Sequence, residues 1–379
     1  MKLTIALNSK ILRAPRTGIG NYVAELTQAL QKIPDLGIHY FSGSRWGDVQ
    51  ISEPMPGYSR WAGIAKRVPA AYVLRRTIEQ QWFNRGVRKL RPDVYHEPSL
   101  WPFDFSGRTV MTVHDLTHIH YPQTQPKDRL QEIERRLPPA LARVSRILVD
   151  SEFIGQEIKK HFGVAEQKVV VAPLACSAIF QPGVEEQLAA RLEKLGLAYR
   201  GFILSVGTLE PRKNLLLTLR AHARLPLSLR ERFPLLVVGM PGWHTGKLSA
   251  ALSQAISSGH VRLAGYLDQA DLACVTAAAR IMVFPSLYEG FGLPVLEAMA
   301  SGTPVIVSTC ASLSEVAATA GTYVDPQDEV GLTEQMRRLI EDDGAWMAQR
   351  IAGLERSEQF SWTKCAAITA EAYRQAAND

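Results

Sequence analysis

Two glutamates, Glu289 and Glu297, stand eight residues apart in the segment 284–302, FPSLYEGFGLPVLEAMASG. The glycines near Glu289 predict a loop, Pro294 suits the first turn of a helix containing Glu297, and Gly302 suits the position just past the helix end. A helix start offers N–H groups to a phosphate, and carboxylates accept hydrogen bonds from sugar hydroxyls. The segment could therefore hold the phosphate, ribose and sugar of a nucleotide sugar. Two solvated acids beside an ordinary helix are the alternative.

Two adjacent cations, Arg212 and Lys213, lie in the segment 207–214, GTLEPRKN, after an apolar run that predicts a strand over 202–206. Gly207 would let a ligand approach the backbone closely. Paired cations at a strand-to-helix turn can neutralise a diphosphate as it leaves. They could also be two surface cations beside a turn.

Two further apolar runs end in polar residues, His96-Glu97 and His114-Asp115. In an open parallel sheet, ligands bind outside the carboxyl ends of the strands, which makes His114 a candidate catalytic residue. A chance His–Asp neighbour pair is the alternative.

Histidines at 114, 118 and 120 suggest a metal site, but no acidic DxD-like motif accompanies them, and we expect no metal. The cysteines are far apart and form no CxxC pair, so neither a zinc site nor a disulfide framework is indicated. They are Cys176, Cys274, Cys310 and Cys365.

The amino-terminal segment predicts a buried strand over 3–7, a glycine-containing loop over 13–21 and a helix over 22–30. Strand, loop and helix in this order open an α/β nucleotide-binding unit. Gly18 and Gly20 lack the third glycine of the GxGxxG fingerprint, so a dinucleotide site is not supported. A phosphate or an acceptor could still approach them, unless they form a mere tight turn.

Strands and helices alternate along the 379 residues in two series joined near residues 173–183, which predicts two doubly wound α/β domains. In the first series, Ser151 should cap a helix over 152–162. No apolar run approaches the roughly 20 residues of a membrane-spanning helix. The amino terminus has no clear signal-peptide design, and a reducing cytosol is the expected compartment.

The Glu289-x7-Glu297 pattern within EGFGLPVLEAMASGTPVI, with GTLEPRKN and VHDL, resembles the signature of the retaining family 4 glycosyltransferases of GT-B fold. The resemblance implies two Rossmann-like domains facing across a cleft. The implied parts are an acceptor-binding domain over 1–178, a nucleotide-sugar domain over 179–360, and a helix over 361–379 that crosses back to the first domain.

By the same resemblance, Glu297 binds the donor ribose, Glu289 contacts hydroxyls of the transferred sugar, and His114 faces the donor sugar and phosphate. Tyr266 and Leu267 follow a strand at a turn that places backbone groups against the nucleobase. The expected catalytic residues are Glu289, His114, Arg212 and Lys213. The expected donor-binding residues are Gly18, Gly20, Gly207, Arg212, Lys213, Gly239, Tyr266, Leu267, Glu289, Gly290, Phe291, Gly292, Leu293 and Glu297.

The net charge of +6 is concentrated in residues 58–92, where nine basic residues face one acid, Glu79. Large apolar residues, including Trp61 and Trp82, alternate with these cations, a pattern that suits an anionic membrane surface. The alternative is a basic helix face that is simply exposed to solvent. We see no nucleic-acid recognition motif and expect no nucleic-acid partner. The expected location is the cytoplasm, with peripheral contact to the inner face of the cytoplasmic membrane.

The motifs TGIGNY and VGTLEPRKN and a terminal FSW helix look most similar to bacterial mannosyl- and rhamnosyltransferases of surface-polysaccharide and lipopolysaccharide O-antigen assembly. This favours a GDP-linked donor and a lipid-linked glycan acceptor, with no other cofactor. Retention would follow a front-side path, because no protein nucleophile is identified. A UDP-sugar transferase, a sugar-nucleotide epimerase of the same fold and a non-catalytic glycan- or nucleotide-binding protein are the alternatives.

Overall fold

The computed structural model describes residues 2–13, 18–47, 69–242 and 246–379, with only the backbone of residues 69–74. The chain divides into two compact units. The first comprises Met1–His114, Gln131–Leu174 and Trp362–Asp379, and the second comprises Asp115–Leu130 and Ala175–Ser361. The sequence predicts domains over 1–178, 179–360 and 361–379. Residues 115–130, predicted to belong to the first domain, belong instead to the second unit.

Strands alternate with helices through both units. The strands are β1 Leu3–Asn8, β2 Leu36–Phe41, β3 Trp46–Gly47, β4 Val94–Glu97, β5 Arg108–Val113, β6 Arg146–Val149, β7 Val169–Val171, β8 Ile203–Val206, β9 Leu235–Val238, β10 Val261–Gly265, β11 Ile281–Phe284, β12 Val305–Ser308 and β13 Thr322–Val324. The helices are α1 Gly18–Leu30, α2 Pro69–Leu90, α3 Thr117–His120, α4 Lys127–Arg143, α5 Glu152–Phe162, α6 Glu185–Lys194, α7 Leu215–Arg224, α8 Leu227–Arg232, α9 Gly246–Ser257, α10 Gln269–Ala278, α11 Leu293–Ala300, α12 Ala311–Ala317, α13 Glu329–Glu341, α14 Asp343–Ser357 and α15 Trp362–Asn378. Short 3-10 turns cover Lys10–Arg13, Pro122–Thr124, Glu166–Lys168, Pro211–Lys213 and Ala318–Ala320.

The first unit is built on a sheet of order β3-β2-β1-β4-β5-β6-β7. Its strands pair in parallel except for the short edge strand β3, which runs antiparallel to β2. The central strands β4 and β5 are buried along most of their length, as expected for a sheet that helices cover on both faces. The carboxyl-terminal helix α15 belongs to this unit, and its Tyr373 is fully buried.

The second unit is built on an all-parallel sheet of order β10-β9-β8-β11-β12-β13. The strand order reverses between β8 and β11, so the loops that follow these two strands leave the sheet side by side. Such a switch point is where open α/β sheets bind their ligands. The loop after β8 carries Arg212 and Lys213, and the loop after β11 carries Glu289.

Several local predictions are confirmed. Pro294 lies in the first turn of α11, and Gly302 follows its last turn with φ of +71°. The Ser151 hydroxyl accepts a hydrogen bond from the Ile154 N–H at 3.3 Å and caps α5. The loop predicted over 13–21 is wrong in its second half, because Gly18 and Gly20 form the first turn of α1.

Within the described ranges, no helix has the length and apolar character needed to cross a membrane. Of the basic stretch 58–92, residues 58–68 lie outside the described residues, and the remainder forms α2 and the turn after it.

Candidate active site

The two turns beside the switch point approach each other through glycine. A Cβ added to Gly239, just after β9, would lie far inside van der Waals contact with the Gly207 carbonyl oxygen, just after β8. Asn214 ends the turn in the left-handed conformation, and its side-chain amide donates to the carbonyls of Pro285 at 3.1 Å and Pro326 at 2.8 Å. These contacts fix the segment that carries the two predicted cations.

Arg212 and Lys213 both bond to Glu289. Arg212 Nη1 donates to Glu289 Oε2 at 2.9 Å and to the Tyr288 carbonyl at 2.8 Å, and Lys213 Nζ donates to Glu289 Oε1 at 2.6 Å. On its other side, Arg212 Nη2 donates to Glu210 Oε1 at 2.7 Å. Two cations and two carboxylates therefore form one continuous, mostly buried network, which we call the cation–carboxylate network (Glu210, Arg212, Lys213 and Glu289).

The network sets the charges of its members. Burial opposes the ionisation of Glu289, but Lys213 and Arg212 outweigh it and hold the pKa of this carboxyl below its usual value. Burial lowers the pKa of Lys213, and the nearby Glu289 offsets only part of that effect. Burial also disfavours the Arg212 cation, yet Glu289, Asp115 and Glu210 together raise its pKa. Sequence reasoning missed Glu210, although it lies in the GTLEPRKN segment only two residues before Arg212, which was the available signal.

Glu297 has a different environment from Glu289. It lies on α11, buried, and its side chain makes no hydrogen bond or ion pair with any residue that the structure describes. Burial raises the pKa of this carboxyl to about 8. A buried carboxyl with unsatisfied oxygens is suited to accept hydrogen bonds from paired hydroxyls, as the sequence predicted for a ribose.

Tyr288, next to Glu289, is a second residue that sequence reasoning missed. Its hydroxyl accepts a hydrogen bond from the Leu116 N–H at 3.0 Å, and the His120 ring lies 4.8 Å from its own ring. These contacts hold the segment after β5 within the second unit, where Asp115 adds negative charge near Arg212.

Further predicted donor-binding positions lie in the loops after β10 and β11 and at the start of α11. Gly292 caps α11 with φ of +102°, and a Cβ there would clash with Leu313. The Phe291 side chain is buried edge-on against Phe360, so only its backbone is placed to contact a ligand. At the end of β10, Tyr266 is 44% exposed. The predicted positions Gly290, Leu293 and Leu267 belong to the same loops and helix start.

His114 is held at the end of β5 in the first unit. Its Nδ1 lies 2.7 Å from Asp150 Oδ2, its Nε2 lies 3.2 Å from the Pro98 carbonyl, and the Tyr22 ring packs edge-on at 4.7 Å. Both ring nitrogens face acceptor oxygens, which fixes the plane of the imidazole. The structure thus brings Arg212, Lys213 and Glu289 together in one unit, whereas His114, Gly18 and Gly20 belong to the other.

His96 and Glu97 are structural rather than exposed to a ligand. His96 Nδ1 lies 2.6 Å from the Tyr373 hydroxyl and its Nε2 lies 2.8 Å from Thr112 Oγ1, and burial lowers its pKa to about 3. Glu97 is buried and accepts hydrogen bonds from three side chains. These are Asn8, Tyr95 and Ser99.

Comparison with known proteins decides the family. The model of the glycosyl transferases group 1 matches residues 170–355, and that of Glycosyltransferase Family 4 matches residues 16–176. The O-antigen chain mannosyltransferase B of Escherichia coli is 34% identical over 387 residues, covering 99% of this chain and all of that protein. The chain belongs to the family 4 glycosyltransferases.

Other relatives of this family 4 glycosyltransferase match over less of their length. The serotype-specific mannosyltransferase WbdA of Escherichia coli is 28% identical over 272 residues, which are 70% of this chain and 33% of WbdA.

Solved structures show the GT-B fold. The sucrose-phosphate synthase of Thermosynechococcus elongatus superposes with a TM-score of 0.77 at 23% identity, over 99% of each chain. WaaG, a glycosyltransferase involved in lipopolysaccharide biosynthesis, superposes with a TM-score of 0.70 at 16% identity, over 97% of this chain and 99% of WaaG.

Proposed function

We propose that this glycosyltransferase moves mannose from GDP-mannose to a lipid-linked oligosaccharide of an O-antigen, with retention of the anomeric configuration. The observation that carries the proposal is the cation–carboxylate network at the switch point of the second sheet, in a chain 34% identical over its full length to an O-antigen chain mannosyltransferase. A transferase that releases a nucleoside diphosphate needs positive charge where that diphosphate departs.

The donor would bind along the loops after β8 and β11. Arg212 and Lys213 would contact the diphosphate, Glu297 the ribose hydroxyls, and Glu289 the hydroxyls of the mannose. His114, fixed by Asp150, would contact the sugar or its phosphate. Gly18 and Gly20, in the first turn of α1, have no atom of the described part of the chain near the position of a Cβ, which suits close approach of a ligand.

In the proposed reaction the bond between the anomeric carbon and the phosphate oxygen breaks, and the acceptor oxygen attacks that carbon from the same face. The acceptor proton passes to an oxygen of the departing phosphate, which leaves as GDP. Arg212 and Lys213 would stabilise the negative charge that grows on this phosphate, so we expect no requirement for a metal ion. No protein nucleophile takes part.

A panel of GDP- and UDP-sugars tests the donor. Saturation-transfer NMR should show contact with GDP-mannose, and a transfer assay with that donor should lengthen a mannose-terminated lipid-linked acceptor. Contact with UDP-sugars alone would replace the donor assignment. A changed donor with an unchanged acceptor would indicate an epimerase, and binding without either change would indicate a non-catalytic protein.

A basic and aromatic face of α2 supports peripheral contact with an anionic membrane. Residues three or four apart share one face of a helix, and on α2 this spacing joins exposed apolar and basic side chains. Ile78 is 36% exposed and Trp82 is 39% exposed. The face consists of Arg75, Ile78, Trp82, Arg85 and Lys89. Arg76 is not part of it, because it donates to the carbonyls of Trp101 and Pro102.

Charge reversal tests this contact. Replacing Arg75, Arg85 and Lys89 by Glu should release the protein from vesicles containing phosphatidylglycerol, and binding of the wild type should weaken with salt because the attraction is screened within about 8 Å at physiological ionic strength. Unchanged vesicle binding would remove α2 as the anchor. The matched control reverses three exposed cations of the second unit, Lys194, Arg224 and Arg337.

A further inference from the structure

Arg212 is held by two carboxylates that come from different segments. Glu289, in the loop after β11, bonds to both Arg212 and Lys213, whereas Glu210, two residues before Arg212, bonds to Nη2 of Arg212. The side chains of Glu210 and Arg212 are 7% and 11% exposed. Arg212 is therefore attached both to its own turn and to the neighbouring loop.

The proposed function implies that Glu289 leaves Arg212 when the donor binds, whereas Glu210 stays bound to it. A diphosphate on Arg212 and Lys213 must compete with Glu289, which already bonds to both cations, while the proposed role of Glu289 is to contact the sugar. Donor binding would therefore exchange Glu289 for phosphate oxygens on these cations. Glu210 is not involved in this exchange, because it lies on the opposite side of the guanidinium.

We propose, on the basis of that function, that Glu210 is a positioning residue that holds Arg212 in place while Glu289 is exchanged for the donor diphosphate. The local backbone supports this role. Glu210 N–H donates to the Thr208 carbonyl at 2.8 Å, and the Glu210 carbonyl accepts from Lys213 N–H at 3.0 Å. No ligand group is proposed to replace Arg212 as the partner of Glu210, and a buried carboxylate that lost its cation without a replacement would carry a large desolvation cost, so the Glu210–Arg212 pair should persist.

Arg212 also has a donor that the exchange would use. Its Nε is buried and has no hydrogen-bond partner among the residues that the structure describes. A buried N–H without an acceptor is costly, and a phosphate oxygen would satisfy it. With Nη2 held by Glu210 and one N–H of Nη1 held by the Tyr288 carbonyl, Nε and the second N–H of Nη1 remain for the donor phosphates.

Two substitutions separate positioning from a simple charge effect. Glu210→Gln keeps the length and an acceptor oxygen but removes the charge, whereas Glu210→Asp keeps the charge and loses the reach. Positioning predicts that turnover falls about 10- to 100-fold in Glu210→Asp, the scale of a displaced catalytic group, and much less in Glu210→Gln, with small changes in donor KM. A charge effect alone predicts the reverse order, with Glu210→Asp close to wild type.

Binding of inorganic pyrophosphate, measured by calorimetry, tests the same point without turnover. Positioning predicts that Glu210→Asp binds pyrophosphate about fivefold or more weakly than wild type, while Glu210→Gln binds at least as well, because a nearby negative charge that repels the anion is gone. Equal affinity of wild type and Glu210→Asp would overturn the proposal. Glu329→Gln, which removes the acid of an Arg224 pair at 3.5 Å, is the control.

The two proposals fail differently. If wild type transfers no sugar from any nucleotide donor, the proposed function fails, and the pyrophosphate affinities still decide the role of Glu210. If wild type transfers mannose but Glu210→Asp matches it in turnover and in pyrophosphate affinity, only the positioning role fails. Thermal unfolding of each variant shows whether a loss of turnover reflects a loss of folded protein.

Discussion

Glu289→Gln should bind free GDP more tightly than wild type does, although Glu289 is a predicted catalytic residue. In the structure the Glu289 carboxylate bonds to Arg212 at 2.9 Å and to Lys213 at 2.6 Å, the two cations proposed to bind diphosphate. GDP has no sugar for Glu289 to contact. Removing this carboxylate therefore removes a competitor for the cations without removing a ligand contact.

The gain can be bounded from the geometry. A charge pair about 4 Å apart at an effective dielectric constant of about 20 contributes about 4 kcal/mol. In wild type, most of the energy lost when GDP separates Glu289 from the cations is offset by new hydrogen bonds to the Glu289 carboxylate. In the variant, the glutamine oxygen can still accept a hydrogen bond from a cation, so part of the competition remains. A net gain of about 1.4 kcal/mol, or tenfold in the dissociation constant of GDP, is a reasonable expectation.

The gain should depend on pH through Lys213. Burial lowers the pKa of Lys213, and Glu289 is the first of the groups that oppose this effect. Without Glu289 the pKa should fall further, so Lys213 in the variant loses its proton at a lower pH than in wild type. The protonated amine is the form that attracts diphosphate, and the advantage of Glu289→Gln should therefore be largest at pH 6.5 and smaller at pH 8.5.

The assay is calorimetry with GDP at both pH values, with GMP as the ligand control, because GMP lacks the second phosphate that the cations would contact. Glu329→Gln, outside the network, is the protein control and should bind GDP like wild type. A variant Glu289→Gln that binds GDP several-fold more weakly than wild type would refute the competition between Glu289 and the diphosphate.

Three further outcomes are expected. Burial raises the pKa of Glu297 to about 8, so the donor KM of wild type should fall as the pH rises towards 8, because the ionised carboxylate accepts hydrogen bonds from hydroxyls better. In Glu297→Gln the donor KM should be higher and should not change with pH. A variant with the same pH profile as wild type would contradict the ribose contact. Transfer should survive EDTA, whereas Lys213→Ala should lose about 100-fold in turnover; inactivation by EDTA that manganese reverses would disprove metal independence. Gly239→Ala should lower the free energy of unfolding in urea by about 2 kcal/mol or more, because its Cβ would overlap the Gly207 carbonyl. Gly246→Ala should not, because no atom of the described residues lies near its Cβ.

The sequence predicted much of the fold because local signals agreed with one another. Pro294 and Gly302 mark the start and the end of α11, as predicted. The alternation of strands and helices indicated two doubly wound domains. The loop boundary at Gly18 was misplaced, since glycine signals a turn but cannot exclude the first turn of a helix. Residues 115–130 belong to the second unit, where the Leu116 N–H donates to the Tyr288 hydroxyl, 172 positions away in sequence, and no local signal predicts a contact at that separation.

The sequence predicted which residues form the candidate site, but it did not predict the contacts between them. Glu289, Arg212 and Lys213 were expected to bind different parts of a donor, yet they bond to one another across 76 or 77 positions. That contact follows from β8 and β11 being neighbours in the sheet, which requires the strand order. His96 was expected near a ligand because it ends a strand, but its burial depends on Tyr373 from the last helix.

The most direct test of the proposed function is the structure of the product made from GDP-mannose labelled with carbon-13 in the sugar and a mannose-terminated lipid-linked acceptor. NMR of the purified product should show one or more labelled mannoses joined to the acceptor in the α configuration of the donor, with GDP released in equal amount. A β-linked product would contradict the front-side path. Labelled donor that is epimerised, or left intact beside an unextended acceptor, would contradict the assignment as a mannosyltransferase.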